Sequence, residues 1–298
     1  MLNRKGEKRV FEIVRTQEQY ETYILTDHNA QSRLEVVPER GGIVTRWNIQ
    51  GQEIFYLDAE RFKDPNLTVR GGIPILFPIC GNLVNDTYTC LGKDYSLKQH
   101  GFARNLPWEV TDSATNDMVV LTLTLKSNDQ TRSVYPFDFE VTFTYRLKGN
   151  TLDIDQRYTN HSAEPMPFST GFHPYFLAPD KTKLEFDIPA SEYQEKQTQA
   201  VHPFTGNFDF SCDEIDVAFG QLSNNTASVT DAERGLAIAL TYTDIYSTLV
   251  FWTVQGKDFY CLEPWSAPRN ALNTGKNLTH LAPGESSEAS VRLTAKFF

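Results

Sequence analysis

Three separated segments carry residues able to move protons: Gln99-His100-Gly101-Phe102-Ala103-Arg104, Gly171-Phe172-His173-Pro174-Tyr175-Phe176 and Cys261-Leu262-Glu263-Pro264-Trp265. An imidazole that gives a proton and a carboxylate that takes one are the parts that acid–base chemistry on a sugar requires. Glu263 shares strand parity with Phe259 and Cys261, and Pro264 is expected to stop ladder hydrogen bonding just after it, leaving the carboxylate at a strand end. Pro174 biases the His173 backbone toward an extended conformation, and Phe172, Tyr175 and Phe176 surround the ring with flat apolar faces. The glycine after His100 implies a turn or a close backbone approach. A fourth segment, Val69-Arg70-Gly71-Gly72-Ile73-Pro74, presents a guanidinium at a glycine bend, suited to gripping an oxygen pair bidentately.

Taken singly, each residue also has an ordinary reading. Glu263 reads equally as an exposed carboxylate, His173 as a satisfied core histidine and His100 as a loop histidine bonded to backbone. Asp216 lies in an acidic turn, Asp213-Glu214-Ile215-Asp216, where most carboxylates are simply solvated.

The elements that must position these groups read as strands. Leu121, Leu123 and Leu125 alternate with polar residues, as do Phe139, Val141, Phe143, Tyr145 and Leu147. Lys148-Gly149-Asn150 then separates that run from Leu152, Ile154 and Tyr158, the signature of an antiparallel hairpin. Further strands are expected over Gly235 to Tyr242, Thr248 to Thr253, Asp258 to Leu262 and Val291 to Phe297. Short helices are expected only at Thr16 to Tyr23 and Asp58 to Lys63. The expectation is one all-β domain over residues 1–298, a sandwich or barrel, with Met1 to about Arg33 as an N-terminal extension and outer strand.

Composition narrows the partners. With 298 residues, 40% hydrophobic and 22% charged, the chain can bury a substantial core. A net charge of −10 without a basic cluster argues against nucleic acid. The start, Met1 to Lys8, has no apolar run behind its charges, and no stretch approaches the ~18 apolar residues of a membrane span. Cys80, Cys90, Cys212 and Cys261 form no Cys-x-x-Cys pair, so they read as reduced, mostly buried thiols, and a cytoplasmic location is expected.

Together the four segments resemble the galactose mutarotase-like superfamily of aldose 1-epimerases and hexose-6-phosphate mutarotases, over about Val36 to Lys296. The resemblance implies a large antiparallel β-sandwich and a cofactor-free isomerase that interconverts the α and β anomers of an aldose. It matches His173 to the family's general acid, Glu263 to its general base and His100 to a second histidine near the ring oxygen. Arg70, and Asp216 in its Asp-x-x-Phe setting, resemble sugar-hydroxyl binders. The Arg70 and Arg104 segments look like the hexose-phosphate branch, in which an arginine from each holds the phosphate, with Lys98 as a third cation. His173-Pro-Tyr-Phe instead resembles free-sugar mutarotases, since threonine more commonly follows the acid in the phosphate branch. The partner implied is a small sugar or sugar phosphate, with the protein a monomer or weak homodimer.

At pH 7 an unperturbed Glu (about 4.3) and His (about 6.5) supply an acceptor but mostly no donor proton. His173 is therefore expected to be held protonated by a nearby anion or hydrogen-bond acceptor, across a pyranose from Glu263, with a bell-shaped rate profile around neutrality. Three other classes compete. One is a non-catalytic carbohydrate-binding protein on the same scaffold. Another is a glycoside hydrolase using Asp216 and Glu263. The third, a metal hydrolase using His100, His173 and Glu263, lacks His-x-His or His-Glu-x-x-His spacing.

Overall fold

Period-two alternation builds the architecture. The computed structural model describes residues 10–298; Met1 to Lys8, read above for an export segment, lies outside the described residues. Along the strand Phe139–Lys148, Phe139, Val141, Phe143, Tyr145 and Leu147 are buried while the residues between them are half-buried. Lys148-Gly149-Asn150 turns the chain into Thr151–Asn160, whose residues pair in antiparallel register with the preceding strand. The hairpin expected from the sequence is present.

The result is a large antiparallel β-sandwich. One eight-stranded sheet runs in the spatial order Leu184–Asp187, Thr226–Asp231, Leu236–Tyr242, Ser286–Phe297, Thr151–Asn160, Phe139–Lys148, Val119–Lys126 and Glu109–Ala114. A second contains Glu214–Phe219, Thr248–Val254 and Phe259–Trp265, followed by the short strands Gly171–Phe172 and Ile75–Leu76. Aromatic rings join the two, with Phe143 5.6 Å from Phe172 and Phe77 5.2 Å from Phe139 between ring centroids. Each fully buried Phe contributes about 1.5–3 kcal/mol through removal of its ring from water. The polar tips buried with them are paired: Tyr145 donates to Gly42 O at 2.7 Å and Tyr158 meets the Thr170 hydroxyl at 2.7 Å.

Residues 11–37 supply three strands of a separate five-stranded sheet, Phe11–Gln17, Glu21–Asp27 and Ser32–Val37. The helix expected over Thr16 to Tyr23 is absent, because Gln17 and Glu21 are cross-strand partners about a tight reversal. Sheet pairing on both sides of the turn overrides the local helical periodicity. The other expected helix is present at Ala59–Lys63, where Asp58 caps it by accepting from Arg61 N at 3.0 Å. All four cysteines are free, but only Cys80 and Cys261 are buried; Cys212 is exposed.

Gly101 is required by a close approach. Its φ is +68°, and a Cβ there would lie 2.3 Å from Phe77 O. Gly101→Ala is expected to cost about 3 kcal/mol, combining left-handed strain with overlap against backbone. Thermal unfolding would register this as a lower Tm, while a variant of wild-type stability would contradict the account.

Candidate active site

His173 and Glu263 meet because of strand register. Tyr175–Leu177 pairs with Phe259–Cys261, and Gly171 pairs with Trp265, in one continuous antiparallel register. That register sets His173 directly opposite Glu263. Prolines 174 and 264 contribute no N–H to the ladder here, so the two strands face each other through side chains. His173 Nε2 lies 3.2 Å from Glu263 Oε1.

This geometry corrects two expectations. Glu263 does not end its strand, since Pro264 remains in register with Leu249 and the strand runs on to Trp265. His173 and Glu263 do not flank a pyranose from opposite sides either, because they touch.

Parity then gathers the rest of the site on one face of the second sheet. Asp216 pairs with Trp252, Trp252 with Cys261 and Cys261 with Tyr175, while Val250 pairs with Glu263. Residues two apart share a face, so Glu214, Asp216, Trp252, Glu263, Trp265, His173 and Tyr175 all project the same way. They line a cleft of about 310 Å³.

Loops close the cleft. His100 stands at φ +68°, a left-handed conformation rare outside glycine. Its ring centroid lies 5.5 Å from those of both His173 and Trp265. His100 Nδ1 accepts from Gly81 N at 3.1 Å, so in the neutral ring Nε2 carries the hydrogen. Arg70 lies over Trp252, 5.6 Å from its centroid. The bend after it is held by Tyr175 N donating to Gly72 O at 2.9 Å. Arg104 donates to Gln99 O at 2.9 Å, and its buried Nε has no partner among the described residues.

A sequence model of aldose 1-epimerase matches residues 23–294. The chain belongs to the aldose 1-epimerase family. The epimerase superposes on the Slr1438 protein of Synechocystis sp. PCC 6803 with a TM-score of 0.92 and 48% identity, over 95% of this chain and 99% of that one. It superposes on a galactose mutarotase-like protein of Clostridium acetobutylicum with a TM-score of 0.84, at 18% identity over 98% and 100% of the two chains. In sequence it is 25% identical to a protein of Cenchrus ciliaris named as a candidate glucose-6-phosphate 1-epimerase, over 86% of this chain and 79% of that protein.

Of the side chains singled out in the sequence, His173, Glu263, His100, Arg70, Asp216 and Arg104 line the epimerase's cleft. Lys98 is exposed and is not among the lining residues. The cations that sequence reasoning missed are Arg61, Lys196 and Arg269. Arg61 and Lys196 carried no motif. Arg269 stands only six residues beyond Glu263 and was within reach of the same segment. Trp252 was legible from strand parity alone.

Asp216 is already engaged by cations. Lys196 Nζ donates to its Oδ2 at 2.7 Å and Arg269 Nη2 to its Oδ1 at 2.8 Å. The Arg269 guanidinium lies 5.0 Å from the Trp265 centroid, and Trp265 Nε1 donates to Glu263 Oε2 at 3.0 Å.

Protonation of the acid–base pair is the reverse of what the sequence suggested. Burial, then the Arg104 charge, push His173 down to about 3. Its buried Nδ1 has no hydrogen-bond partner among the described residues. Burial, then Asp216, push Glu263 well above its usual range, with Arg269 and the Trp265 hydrogen bond opposing. As the side chains stand, the shared proton rests on Glu263 and His173 is neutral. The Glu263 carboxyl beside His173 is itself held neutral by burial, and the charges of Arg104, Arg269 and Arg70 oppose protonation of the imidazole. His100 is likewise held well below its ordinary value by burial and then by Arg104.

Metal-ligating atoms do converge, though on a set other than the one weighed from sequence: His173, Cys261 and Glu263, within 4.8 Å of one another. Burial and the neighbouring Glu263 hold the Cys261 thiol well above its ordinary pKa, and a neutral thiol is a poor ligand.

Proposed function

We propose that the protein interconverts the α and β anomers of a hexose 6-phosphate, with Glu263 as base and His173 as acid. The observation that carries the phosphate is a set of three guanidinium groups, Arg61, Arg70 and Arg104, in the same cleft as the acid–base pair. Among the described residues they contact backbone carbonyls or an aromatic ring rather than carboxylates. In a chain of net charge −10, such a cluster makes a local potential suited to a dianion.

The chemistry follows from the 3.2 Å contact. O1 and the ring oxygen of an aldose are both bonded to C1, so a base for one and an acid for the other must be neighbours. Glu263 takes the proton of the C1 hydroxyl while His173 gives one to the ring oxygen. The C1–O5 bond breaks and O1 becomes the aldehyde oxygen. Rotation about C1–C2 and closure on the other face reverse both transfers, returning the pair to its starting state. Phosphate beside Arg104 offsets the charge that most depresses His173 after burial. The proton then passes from Glu263 to His173, arming carboxylate and imidazolium together.

Anomer equilibration followed by NMR or polarimetry on glucose, galactose and glucose 6-phosphate tests the reading. The expected result is a kcat/KM for the phosphate about 10²-fold above both free hexoses, the worth of one or two charge-assisted hydrogen bonds. Equal rates on the free hexoses would replace the phosphate with a free sugar, and no acceleration on any of them would remove the activity.

A further inference from the structure

The Glu263 carboxylate is gripped from behind by a linked chain of groups. Asp216 Oδ1 holds Arg269 Nη2 at 2.8 Å, the guanidinium lies 5.0 Å from the Trp265 centroid, and Trp265 Nε1 donates to Glu263 Oε2 at 3.0 Å. Lys196 secures the far oxygen of Asp216 at 2.7 Å. Gly81 makes room for the stack. A Cβ there would meet Arg269 Cγ at 2.5 Å and Trp265 Cζ3 at 3.1 Å. The Gly81 N–H is also the donor to His100 Nδ1, so the same backbone position seats the second histidine.

We propose that Arg269 is a positioning residue for the reaction, anchored by Asp216 and acting through Trp265 to hold Glu263 in place and favour its ionised form. Three features of the geometry support this role. Glu263 Oε2 is committed to Trp265, which leaves Oε1 as the oxygen facing His173. A cation over the indole face draws on the ring's electron density and strengthens the Nε1–H as a donor. Both Asp216 oxygens bind cations of the protein, which makes Asp216 an anchor of this chain whatever hydroxyl it also accepts. Burial and Asp216 push Glu263 upward, and Arg269 and Trp265 are the two leading groups that oppose them.

The proposal rests on the reading of Glu263 as the base, and its test separates the two. Arg269→Met keeps length and removes charge; Arg269→Lys restores charge without the planar stack. With folding checked by thermal melts, Arg269→Met is expected to lower kcat about tenfold or more while KM for the sugar phosphate changes less than about threefold. It should also move the alkaline limb of the pH–kcat/KM profile, which reports the free enzyme, to higher pH, because Glu263 then holds its proton more tightly. Arg269→Lys should recover part of both effects. In a Glu263→Gln background, Arg269→Met should change the residual rate little, since the group it acts through has gone.

Three outcomes would overturn the proposal: an unmoved pH limb in a folded Arg269→Met protein, a loss confined to KM, or a further full tenfold loss in the Glu263→Gln background. None of these would touch the reading of Glu263, which stands on whether Glu263→Gln itself abolishes anomer exchange in the wild-type background.

Discussion

Replacing Glu263 with glutamine is expected to lower anomer interconversion about 10²–10⁴-fold, the usual worth of one well-placed acid or base. Glutamine keeps the shape and still accepts from Trp265 Nε1, but it cannot take the C1 hydroxyl proton. Ligand binding should survive, and this separates an enzyme from a carbohydrate-binding protein on the same scaffold. A variant with undiminished turnover would dismiss Glu263 as the base.

The same substitution has a stability signature opposite in sign to its effect on activity. Glu263 is 1% exposed and its pKa is raised, so the folded chain keeps a proton that the unfolded chain releases above about 4.5. The stability tied to the neutral carboxyl is fully present below that value and is lost as pH rises through the raised folded value. His173, depressed to about 3, behaves in the opposite sense. Its contribution is present above about 6.5 and lost as pH falls from there. Above pH 6.5 the His173 contribution is complete, while the Glu263 contribution goes on falling as pH rises toward its raised folded value. Melts between pH 6.5 and 8.5 should therefore show wild-type Tm falling more steeply than that of Glu263→Gln. Parallel curves would mean that the proton does not rest on Glu263.

Activity is expected to follow the one-proton form of the pair. The profile is then a plateau extending to the acid side of neutrality and falling on the alkaline side, rather than a bell centred near pH 7.

Arg104→Ala is expected to remove the preference for phosphate. Its guanidinium lines the cleft with a buried Nε that has no partner among the described residues, and each charge-assisted bond to phosphate is worth about 1.5–3 kcal/mol. The kcat/KM for glucose 6-phosphate should drop about 10–10²-fold, with a much smaller change for free glucose. Steady-state comparison of the two sugars reads this directly. A second consequence concerns His173. Arg104 is the charge that most depresses it, so its removal raises the imidazole's proton affinity and moves the acid limb of the profile to higher pH. An equal loss on both sugars would assign Arg104 to the shape of the loop at Gln99, whose carbonyl it also holds.

The alternation of residues determined a good deal by itself. Because side chains repeat every two residues in a strand, Phe259, Cys261, Glu263 and Trp265 share a face wherever that strand pairs. The Gly-Asn turn after Lys148 and the short helix expected at Asp58 to Lys63 are likewise local, and both appear, the helix as Ala59–Lys63. The helix expected at Thr16 to Tyr23 failed for the converse reason: its strands are held by partners on either side of the turn, which no short window contains.

Only the tertiary structure decided that residues 173 and 263 are cross-strand neighbours. Period two fixes a face, whereas register is set by pairings between segments about ninety residues apart. It also decided which group holds the proton. Burial and the summed charges of Arg104, Arg269 and Asp216 act through space, and sequence spacing carries no trace of where those groups converge.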